Sequence, residues 1–206
     1  MKPRRYQSPI RQAAADATHA RIIAAARALL GSRKGIVGFS VDAVARKARI
    51  TRLTVYNQFG SRRALLEAVF DDMAVGGGLH RIQEAMEVAD PHDALRRIVA
   101  IFCAFWSSNT VAMVRLHAAA ASDPEFDESI HGRNERRRRI LSDIVRRMAI
   151  GRAPQANALQ ELTDILFALT SLAFFAQLIS GGHSAEVVYR AIQGLCDDAV
   201  LRAGLE

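Results

Sequence analysis

Residues 39–66 read FSVDAVARKARITRLTVYNQFGSRRALL, a stretch with two cap residues and a glycine break. Ser40 stands where a helix N-cap is expected, and Asp42 follows in the first turn, where a negative charge favours the positive end of a helix. Thr51 is a second N-cap candidate, and Gly60 interrupts the chain after one further short segment. The spacing therefore predicts two short helices, one after each cap residue.

The second of these helices, RLTVYNQF, has an inner and an outer side. Leu53 or Val55, together with Phe59, can face a core. The other side is polar and aromatic and consists of Arg52, Thr54, Tyr56 and Asn57. Two short helices joined by a tight turn, the second of them polar on its outer side, are typical of a helix-turn-helix. Such a second helix fits the major groove of DNA, which is about 12 Å wide.

Helical periodicity continues on both sides of this stretch. An amphipathic helix is predicted from Asp16 to Leu30, another starts at Arg62, and Pro91 suits the first turn of a long one. The chain shows no β-alternating run and no NG or DG hairpin signal. We expect an all-α fold of about nine helices.

Positive charge is concentrated at the N-terminal end. The chain has 206 residues, with 28 lysines and arginines against 21 acidic residues and a formal net charge of +7. Residues 1–65 hold 14 of the basic side chains and 2 of the acidic ones. This asymmetry is typical of proteins that bind polyanions, nucleic acid first and an anionic membrane as the lesser rival. A basic N-terminus that is merely solvated is the plainer alternative.

The cysteines and the apolar stretches bear on location. Cys103 and Cys196 lack the CxxC spacing, so neither a disulfide scaffold nor a zinc site is supported, and a cytoplasmic location is expected. The basic N-terminus runs into alanine-rich sequence and not into an apolar signal segment. The 21 uncharged residues enclosed by Asp164 and Glu186 are interrupted by polar residues and glycines, so we expect no membrane span.

The stretch from Ile22 to Phe70 resembles the N-terminal domain of the TetR (tetracycline-repressor-like) transcriptional regulators. The family pattern AGVSxGTLYxHFxSKExLL aligns without gaps on residues 48–66. The resemblance implies a sequence-specific regulator, by family default a repressor, that binds a double-stranded DNA operator as a homodimer and responds to a small effector. With the proline-containing basic start interpreted as a flexible arm, three regions are expected. They are the arm in 1–15, a helix-turn-helix DNA-binding domain in 16–72, and an effector-binding and dimerisation domain in 73–206.

The resemblance also implies which residues meet DNA. They are Ser40, Thr51, Arg52, Leu53, Thr54, Tyr56, Asn57 and Arg62. Ser40, Tyr56 and Arg62 correspond to phosphate contacts in the family. The side-chain chemistry agrees, because Arg52 can bond the O6 and N7 atoms of guanine with two hydrogen bonds, and Asn57 can bond adenine. We expect Arg52 to be the main base reader.

Three positions depart from the family pattern. Arg49 stands where the family favours glycine in the turn, Leu53 replaces a small residue, and Gln58 replaces a common histidine. If the turn requires a positive φ at Arg49, the cost is on the order of 1–2 kcal/mol. Leu53 can instead press on a thymine methyl group. These departures bear on the operator sequence and not on DNA binding itself.

An effector pocket among the middle helices is a further implication of the resemblance. Its candidate linings are Phe102, Trp106, Met113, His117, Phe167 and Phe174. The alternative is plain core, since an aromatic and methionine stripe at helical spacing more often has that role. No arginine or lysine falls clearly inside the apolar stripes, so a neutral or weakly polar hydrophobic effector is expected.

The implied homodimer is formed by the last two helices, which are predicted over 155–180 and 184–203. The candidate interface residues are Leu162, Leu166, Leu169, Leu172, Ile192 and Leu195. They belong to more apolar surface than two helices need to cover one small domain.

Three other features have two interpretations each. The arm enters the minor groove or forms a solvated tail; its basic residues are Lys2, Arg4, Arg5 and Arg11. The arginine run 136–139 is a solvated, ion-paired surface segment, which we favour, or a second DNA patch. The glycines 76–78 form a hinge or a loop.

Two other classes of function remain as alternatives, an enzyme and an architectural DNA-binding protein without ligand response. The six histidines show no HxxxH or HExxH spacing, and no GxGxxG or Walker sequence occurs. We therefore expect no catalytic residue, no metal and no cofactor.

Overall fold

The computed structural model describes residues 9–32, 35–153 and 157–205, and no strand occurs within these ranges. The prediction of an all-α fold is confirmed. The described part has ten α-helices, where about nine were expected. They are α1 (Pro9–Leu30), α2 (Val41–Ala48), α3 (Arg52–Phe59), α4 (Arg62–Gly76), α5 (Ile82–Met86), α6 (Pro91–Ala120), α7 (Pro124–Met148), α8 (Ala158–Leu169), α9 (Leu172–Ser180) and α10 (Ala185–Arg202). Two 3-10 helices, Gly35–Gly38 and Leu79–Arg81, precede α2 and α5.

Helix α1 begins at Pro9, earlier than the predicted start at Asp16. Proline is tolerated in the first turn of a helix, and the alanines that follow Gln12 are strong helix formers. The Gln12 side chain also donates a hydrogen bond to Asp16 at 2.9 Å. Residues 9–15, which the sequence analysis assigns to the arm, are therefore helical. The arm residues Lys2, Arg4 and Arg5 and the side chain of Arg11 lie outside the described residues.

Polar caps set the ends of the long helices. The Asp90 carboxylate accepts hydrogen bonds from the amides of His92 and Asp93, so α6 starts at Pro91 as predicted. The helix predicted over 155–180 is in fact two helices. Ser171 ends the first and caps α9, because its hydroxyl accepts a hydrogen bond from the Phe174 amide at 3.1 Å. Residues 154–156 lie outside the described residues.

The chain divides into two compact units, Met1–Asp72 and Met73–Glu206. In the first unit, α1 packs on α2 and α2 packs on α3. Each fully buried valine, leucine or isoleucine side chain contributes about 1.5–3 kcal/mol, so this small core helps to hold the short helices in place. The most completely buried residues of this core are Ile22, Ala26, Leu30, Val44, Val55, Leu65, Leu66 and Val69.

In the second unit, α6 is the central helix and packs against α5, α7, α9 and α10. By length and composition α6 could cross a membrane, and so could α8 with α9 if they are joined across their 46° bend. Half of the apolar window of α6 is buried inside the protein. Such burial is typical of the core helix of a bundle, and the length of α6 is therefore weak evidence for a membrane.

The glycine run 76–78 ends α4 and begins the turn after it, because Gly76 is the last residue of α4 and Gly77 and Gly78 lie in the turn. Gly78 has φ 83°, a left-handed conformation that glycine adopts at low cost. A Cβ on Gly77 would press into the Phe105 ring and lie 3.0 Å from the Met73 carbonyl oxygen, whereas one on Gly76 would meet nothing within 4 Å. Turn geometry and close packing explain the glycines at 77 and 78 without a hinge.

Gly77→Ala is expected to lower the free energy of unfolding by about 1–3 kcal/mol, because the added methyl group overpacks a fully buried Phe105 ring. Gly76→Ala is the matched control. It is expected to leave stability unchanged or to raise it by up to about 1 kcal/mol, since alanine is the better helix former. Urea denaturation followed by circular dichroism measures both variants, and equal stabilities would contradict the packing argument.

Candidate functional site

The first helix of the motif, α2, starts at a side-chain cap. Ser40 has an extended backbone, and its hydroxyl accepts a hydrogen bond from the Ala43 amide at 3.1 Å. Asp42 lies in the first turn, and Val44 on the opposite side is fully buried. The N-cap prediction for Ser40 is confirmed, and the cap leaves the amide end of α2 at an exposed position.

The turn between α2 and α3 is closed by Arg49 in a left-handed conformation, with φ 54° and ψ 50°. The Arg49 amide donates to the Arg46 carbonyl at 3.2 Å, and the Ile50 amide donates to the Ala45 carbonyl at 3.0 Å. These two hydrogen bonds are those of a Schellman motif, a helix end that usually has glycine at the left-handed position. The departure from the family glycine therefore falls on a residue with positive φ.

Arg49→Gly is expected to raise the free energy of unfolding by about 1 kcal/mol, because glycine lacks the Cβ that strains this conformation. Arg49→Ala removes the same charge and keeps the strain, so it is expected to be no more stable than the natural chain. Urea denaturation compares the two variants. A glycine variant that is no more stable than the alanine variant would show that the turn stores no strain.

Helix α3 presents a polar face and buries one valine. Thr51 caps it by accepting a hydrogen bond from the Thr54 amide at 3.1 Å, and the two threonine hydroxyls lie 2.8 Å apart. Val55 is 1% exposed and Leu53 is 68% exposed, so Val55 is the residue that faces the core. Thr54 is half-buried. The exposed residues at the cap and on the helix include Thr51, Arg52, Leu53, Tyr56 and Asn57.

Arg52 is held across the motif by two neighbours. Its Nη1 donates to an Asp42 carboxylate oxygen at 3.1 Å, and its Nη2 donates to the Tyr56 hydroxyl at 3.2 Å. The guanidinium carbon also lies 5.3 Å from the centroid of the Tyr56 ring. The hydrogen bond with Tyr56 and the negative charge of Asp42 raise the pKa of Arg52 above its ordinary value. We call these three exposed side chains the Arg52 cluster; its cation is permanent.

Arg62 stands at the start of α4. Its guanidinium carbon lies 5.7 Å from the centroid of the buried Phe39 ring, and the side chain is half-buried. Ser61 caps this helix by accepting a hydrogen bond from the Ala64 amide at 3.0 Å. The residues nominated for DNA contact thus all lie at or near α2, α3 and the start of α4, within the first unit.

The residues nominated for an effector pocket lie in the second unit. Phe102, Trp106 and Met113 are buried on α6, whereas Phe167 and Phe174 are half-buried. Nδ1 of His117 lies 2.9 Å from the Met113 carbonyl oxygen, and burial lowers the pKa of His117. Clefts of about 510, 360 and 230 Å³ in this unit are lined by other residues. A pocket role for the nominated residues stays a prediction.

The arginine run 136–139 differs from the expected solvated segment. Arg138 does form the expected ion pairs, with Asp164 and, at 3.6 Å, with Glu135. Arg137, by contrast, is 6% exposed and its guanidinium carbon lies 4.0 Å from the centroid of the Phe167 ring. The expectation that no arginine enters the apolar interior is therefore wrong. Successive residues on a helix turn by about 100°, so one member of a run of four faces inward.

Most of the residues nominated for a dimer interface belong to the core of their own unit. These are Leu162, Leu166, Leu172 and Ile192, each at most 7% exposed. Leu169 is half-buried, and Leu195 is 42% exposed. Apolar periodicity identifies a buried face but not the chain that buries it. These four residues are therefore assigned to the core of the unit and not to a dimer interface. The large apolar side chains that α8 and α10 do expose are Ile165, Val187, Leu195 and Leu201.

Neither cysteine takes part in a described site. Cys103 and Cys196 are buried free thiols, and burial raises the pKa of each to about 12. Within the described ranges, no group of three or more His, Cys, Asp or Glu side chains could hold a metal ion.

The geometry around α3 defines a class of protein. A capped helix, a Schellman turn and a second helix with one buried valine and an exposed face of polar and cationic side chains form a helix-turn-helix domain.

Residues 22–69 match the family described as bacterial regulatory proteins, tetR family. The HTH-type transcriptional regulator EthR of Mycolicibacterium smegmatis is 35% identical over 115 residues, which cover 55% of this chain and 52% of that protein. The chain thus aligns with about half the length of this curated relative.

Solved structures share the fold over most of their length. A TetR transcription regulator from Haloarcula marismortui has a TM-score of 0.73 at 14% identity, with 91% of this chain and 98% of that chain covered. The TetR family regulator PfmR from Thermus thermophilus has a TM-score of 0.63 at 25% identity, with 85% and 96% covered. Over residues 22–69 the chain is therefore similar to the bacterial regulatory proteins of the tetR family, and its fold resembles that of solved TetR regulators. The matched family and the relative EthR are both described as regulators.

Proposed function

We infer that the chain is a sequence-specific DNA-binding transcriptional regulator of the cytoplasm, a homodimeric repressor that a small effector releases from a near-palindromic operator. One observation carries this inference. Helix α3 buries Val55 and exposes Arg52, Tyr56 and Asn57 on its other side. Guanidinium and amide groups are the side chains that read guanine and adenine in the major groove. The relative EthR, named as a transcriptional regulator, supports the same function.

The surroundings of α3 suit a DNA backbone. Residues 1–65 carry 14 basic and 2 acidic side chains, which supply the sequence-independent attraction to phosphate. Ser40 sits at the amide end of α2 and Arg62 at the amide end of α4, where backbone N–H groups and the helix dipole favour an anion. These contacts would position α3 and leave the base edges to the Arg52 cluster and Asn57.

A homodimer accounts for the apolar side chains that α8 and α10 expose. Ile165 on α8 and Leu195 on α10 are 39% and 42% exposed, although these two helices pack on each other. A second copy that covers the same surface gives a two-fold dimer with a self-complementary interface. Such a dimer places its recognition helices on half-sites about 34–36 Å apart, one turn of DNA.

Selection of genomic fragments by the purified protein, followed by footprinting, tests the proposed function. A protected, near-palindromic site with half-sites one turn apart is the expected result. Equal binding of all fragments at moderate salt would overturn sequence-specific regulation and favour the architectural alternative. Specific binding that no small molecule in a metabolite library releases would remove the effector part alone.

Asp42→Asn is expected to strengthen binding to DNA of any sequence by up to about 1 kcal/mol. The Asp42 carboxylate repels phosphate and forms an exposed ion pair with Arg52. Exposed ion pairs contribute little to stability, so the loss of this pair costs the fold little. Fluorescence anisotropy at fixed salt measures the effect. Asp16→Asn is the control, because it removes the other acidic charge of residues 1–65 far from Arg52 in sequence and on a different helix. Equal gains in DNA affinity from both variants would show that the effect comes from the change in net charge and not from the Asp42–Arg52 pair.

A further inference from the structure

A guanidinium on α7 is buried without an acidic partner in the part of the chain that the structure describes. Arg137 is 6% exposed, so its side chain is more than nine-tenths buried in the second unit. Among the described residues, none of its hydrogen-bond partners is a carboxylate. Burial lowers the pKa of Arg137 to about 10, and the like charge of Arg138 acts in the same direction. Arg137 is therefore a cation at neutral pH whose charge its own unit compensates only in part.

The protein satisfies one side of this guanidinium. Nη1 of Arg137 donates to the Phe167 carbonyl oxygen at 2.6 Å and to the Thr170 hydroxyl at 2.8 Å. Both acceptors lie at the C-terminal end of α8, where the helix dipole favours a cation. Nε is buried and has no hydrogen-bond partner within the described residues. Buried donors are almost always paired, so this Nε is a donor that an added acceptor would satisfy.

Aromatic rings surround the same group. The guanidinium carbon lies 4.0 Å from the Phe167 ring centroid and 5.9 Å from that of Phe102. Trp106 packs beside Phe102, and its Nε1 donates to the Thr170 carbonyl oxygen at 3.0 Å. Two of the residues predicted for an effector pocket, Phe102 and Phe167, therefore lie beside Arg137, and Trp106 shares the neighbour Thr170 with it. Phe167 is the half-buried member of this set, so its ring is the one that a ligand can displace most easily.

We propose that Arg137 binds the carboxylate of an effector whose remaining body is apolar, such as a fatty or arylalkanoic acid. The Nε–Nη2 edge of a guanidinium donates two parallel hydrogen bonds to a carboxylate, whose oxygen is then the acceptor that Nε lacks. A single negative charge matches Arg137, because the neighbouring Arg138 is already paired with Asp164 and Glu135. A phosphate would bring a second negative charge without a partner. The proposal rests on the proposed function as an effector-responsive regulator, and it replaces the neutral effector expected from the sequence.

Binding of simple carboxylates to the full chain tests the proposal. The probes are hexanoate, decanoate and phenylacetate, each compared with its primary amide, which has nearly the same shape and no charge. Trp106 is the only tryptophan of the chain, so its fluorescence reports directly on this cluster. At least one carboxylate is expected to change Trp106 fluorescence and to bind roughly 10- to 100-fold more tightly than its amide, the range of a charged hydrogen bond.

Two variants locate the binding to Arg137. Arg137→Met keeps much of the side-chain volume, removes an incompletely compensated charge and is expected to fold, because apolar replacement of buried charges is often neutral or stabilising. It is expected to lose the preference for carboxylate over amide. Arg139→Met removes the charge of an exposed arginine on the same helix and is expected to retain the preference. Arg137→Lys keeps a charge without the planar fork, and it is expected to weaken carboxylate binding about tenfold.

Three results would overturn the proposal. They are amides that bind as tightly as the carboxylates, carboxylates that do not bind at all, and a carboxylate preference that survives in Arg137→Met. If Arg137→Met does not fold, the comparison of carboxylate with amide on the natural chain and on Arg137→Lys still decides. None of these measurements contains DNA. A chain that binds carboxylates through Arg137 but binds no operator would refute the proposed function and leave the anion site intact.

Discussion

Arg52→Ala is expected to weaken binding to the selected operator by about 1–3 kcal/mol, roughly 5- to 150-fold, while binding to random DNA changes far less. The side chain is exposed on α3, carries a permanent charge, and presents a fork that matches the O6 and N7 atoms of guanine. Reaching a base requires exchange of the Asp42 and Tyr56 partners for DNA, so part of the gross interaction energy is spent on opening the Arg52 cluster. Fluorescence anisotropy with operator and scrambled duplexes at one salt concentration measures both affinities.

Arg62→Ala serves as the matched comparison, because it removes the same type of side chain from the start of α4. A phosphate contact carries no sequence information, so this variant is expected to weaken operator and scrambled duplexes alike and to reduce the salt slope by about one. If Arg52→Ala behaves like Arg62→Ala, then Arg52 is a phosphate contact and the base reader lies elsewhere on α3. Asn57 would be the next candidate.

Local signals in the sequence were sufficient to predict the motif. Ser40 and Thr51 were identified as caps, and both accept the amide hydrogen bond three residues ahead. A cap, a helix end and a left-handed turn depend on four or five neighbouring residues, so the local sequence is enough to predict them. The left-handed position at Arg49 is indicated instead by the family resemblance, because the family favours glycine there.

Tertiary burial could not be predicted in the same way. Arg137 stands between two arginines, and only the packing of α7 against α8 shows which member of the run turns inward. Leu166 and Leu195 are both apolar at helical spacing, yet one is fully buried in its own unit and the other is exposed. Hydrophobicity is non-directional, so a pattern of apolar residues specifies that a face is covered and leaves open what covers it.

The double substitution Ile165→Glu with Leu195→Glu is expected to make the chain monomeric and to weaken operator binding by roughly 100-fold or more. Both side chains are partly exposed, so the folded unit tolerates charge there with little change in its own stability. In a dimer, the second copy would bury both positions, and four uncompensated carboxylates at one interface would oppose association. A monomer binds each half-site separately. It therefore loses the gain in affinity that comes from joining two DNA-binding domains, about 10²- to 10⁴-fold for suitable linkers. Analytical ultracentrifugation and anisotropy on full and half operators measure both effects.

The control is Val111→Glu, which introduces the same charge at a 52% exposed position on α6 and is expected to leave the dimer and its operator affinity unchanged. The half operator provides the internal comparison, because the double variant should bind it about as tightly as the natural chain does. A double variant that remains dimeric would show that α8 and α10 associate through another surface, or not at all. A monomer that keeps full operator affinity would show that DNA recognition does not depend on dimerisation. The near-palindromic operator would then not be explained by a two-fold dimer.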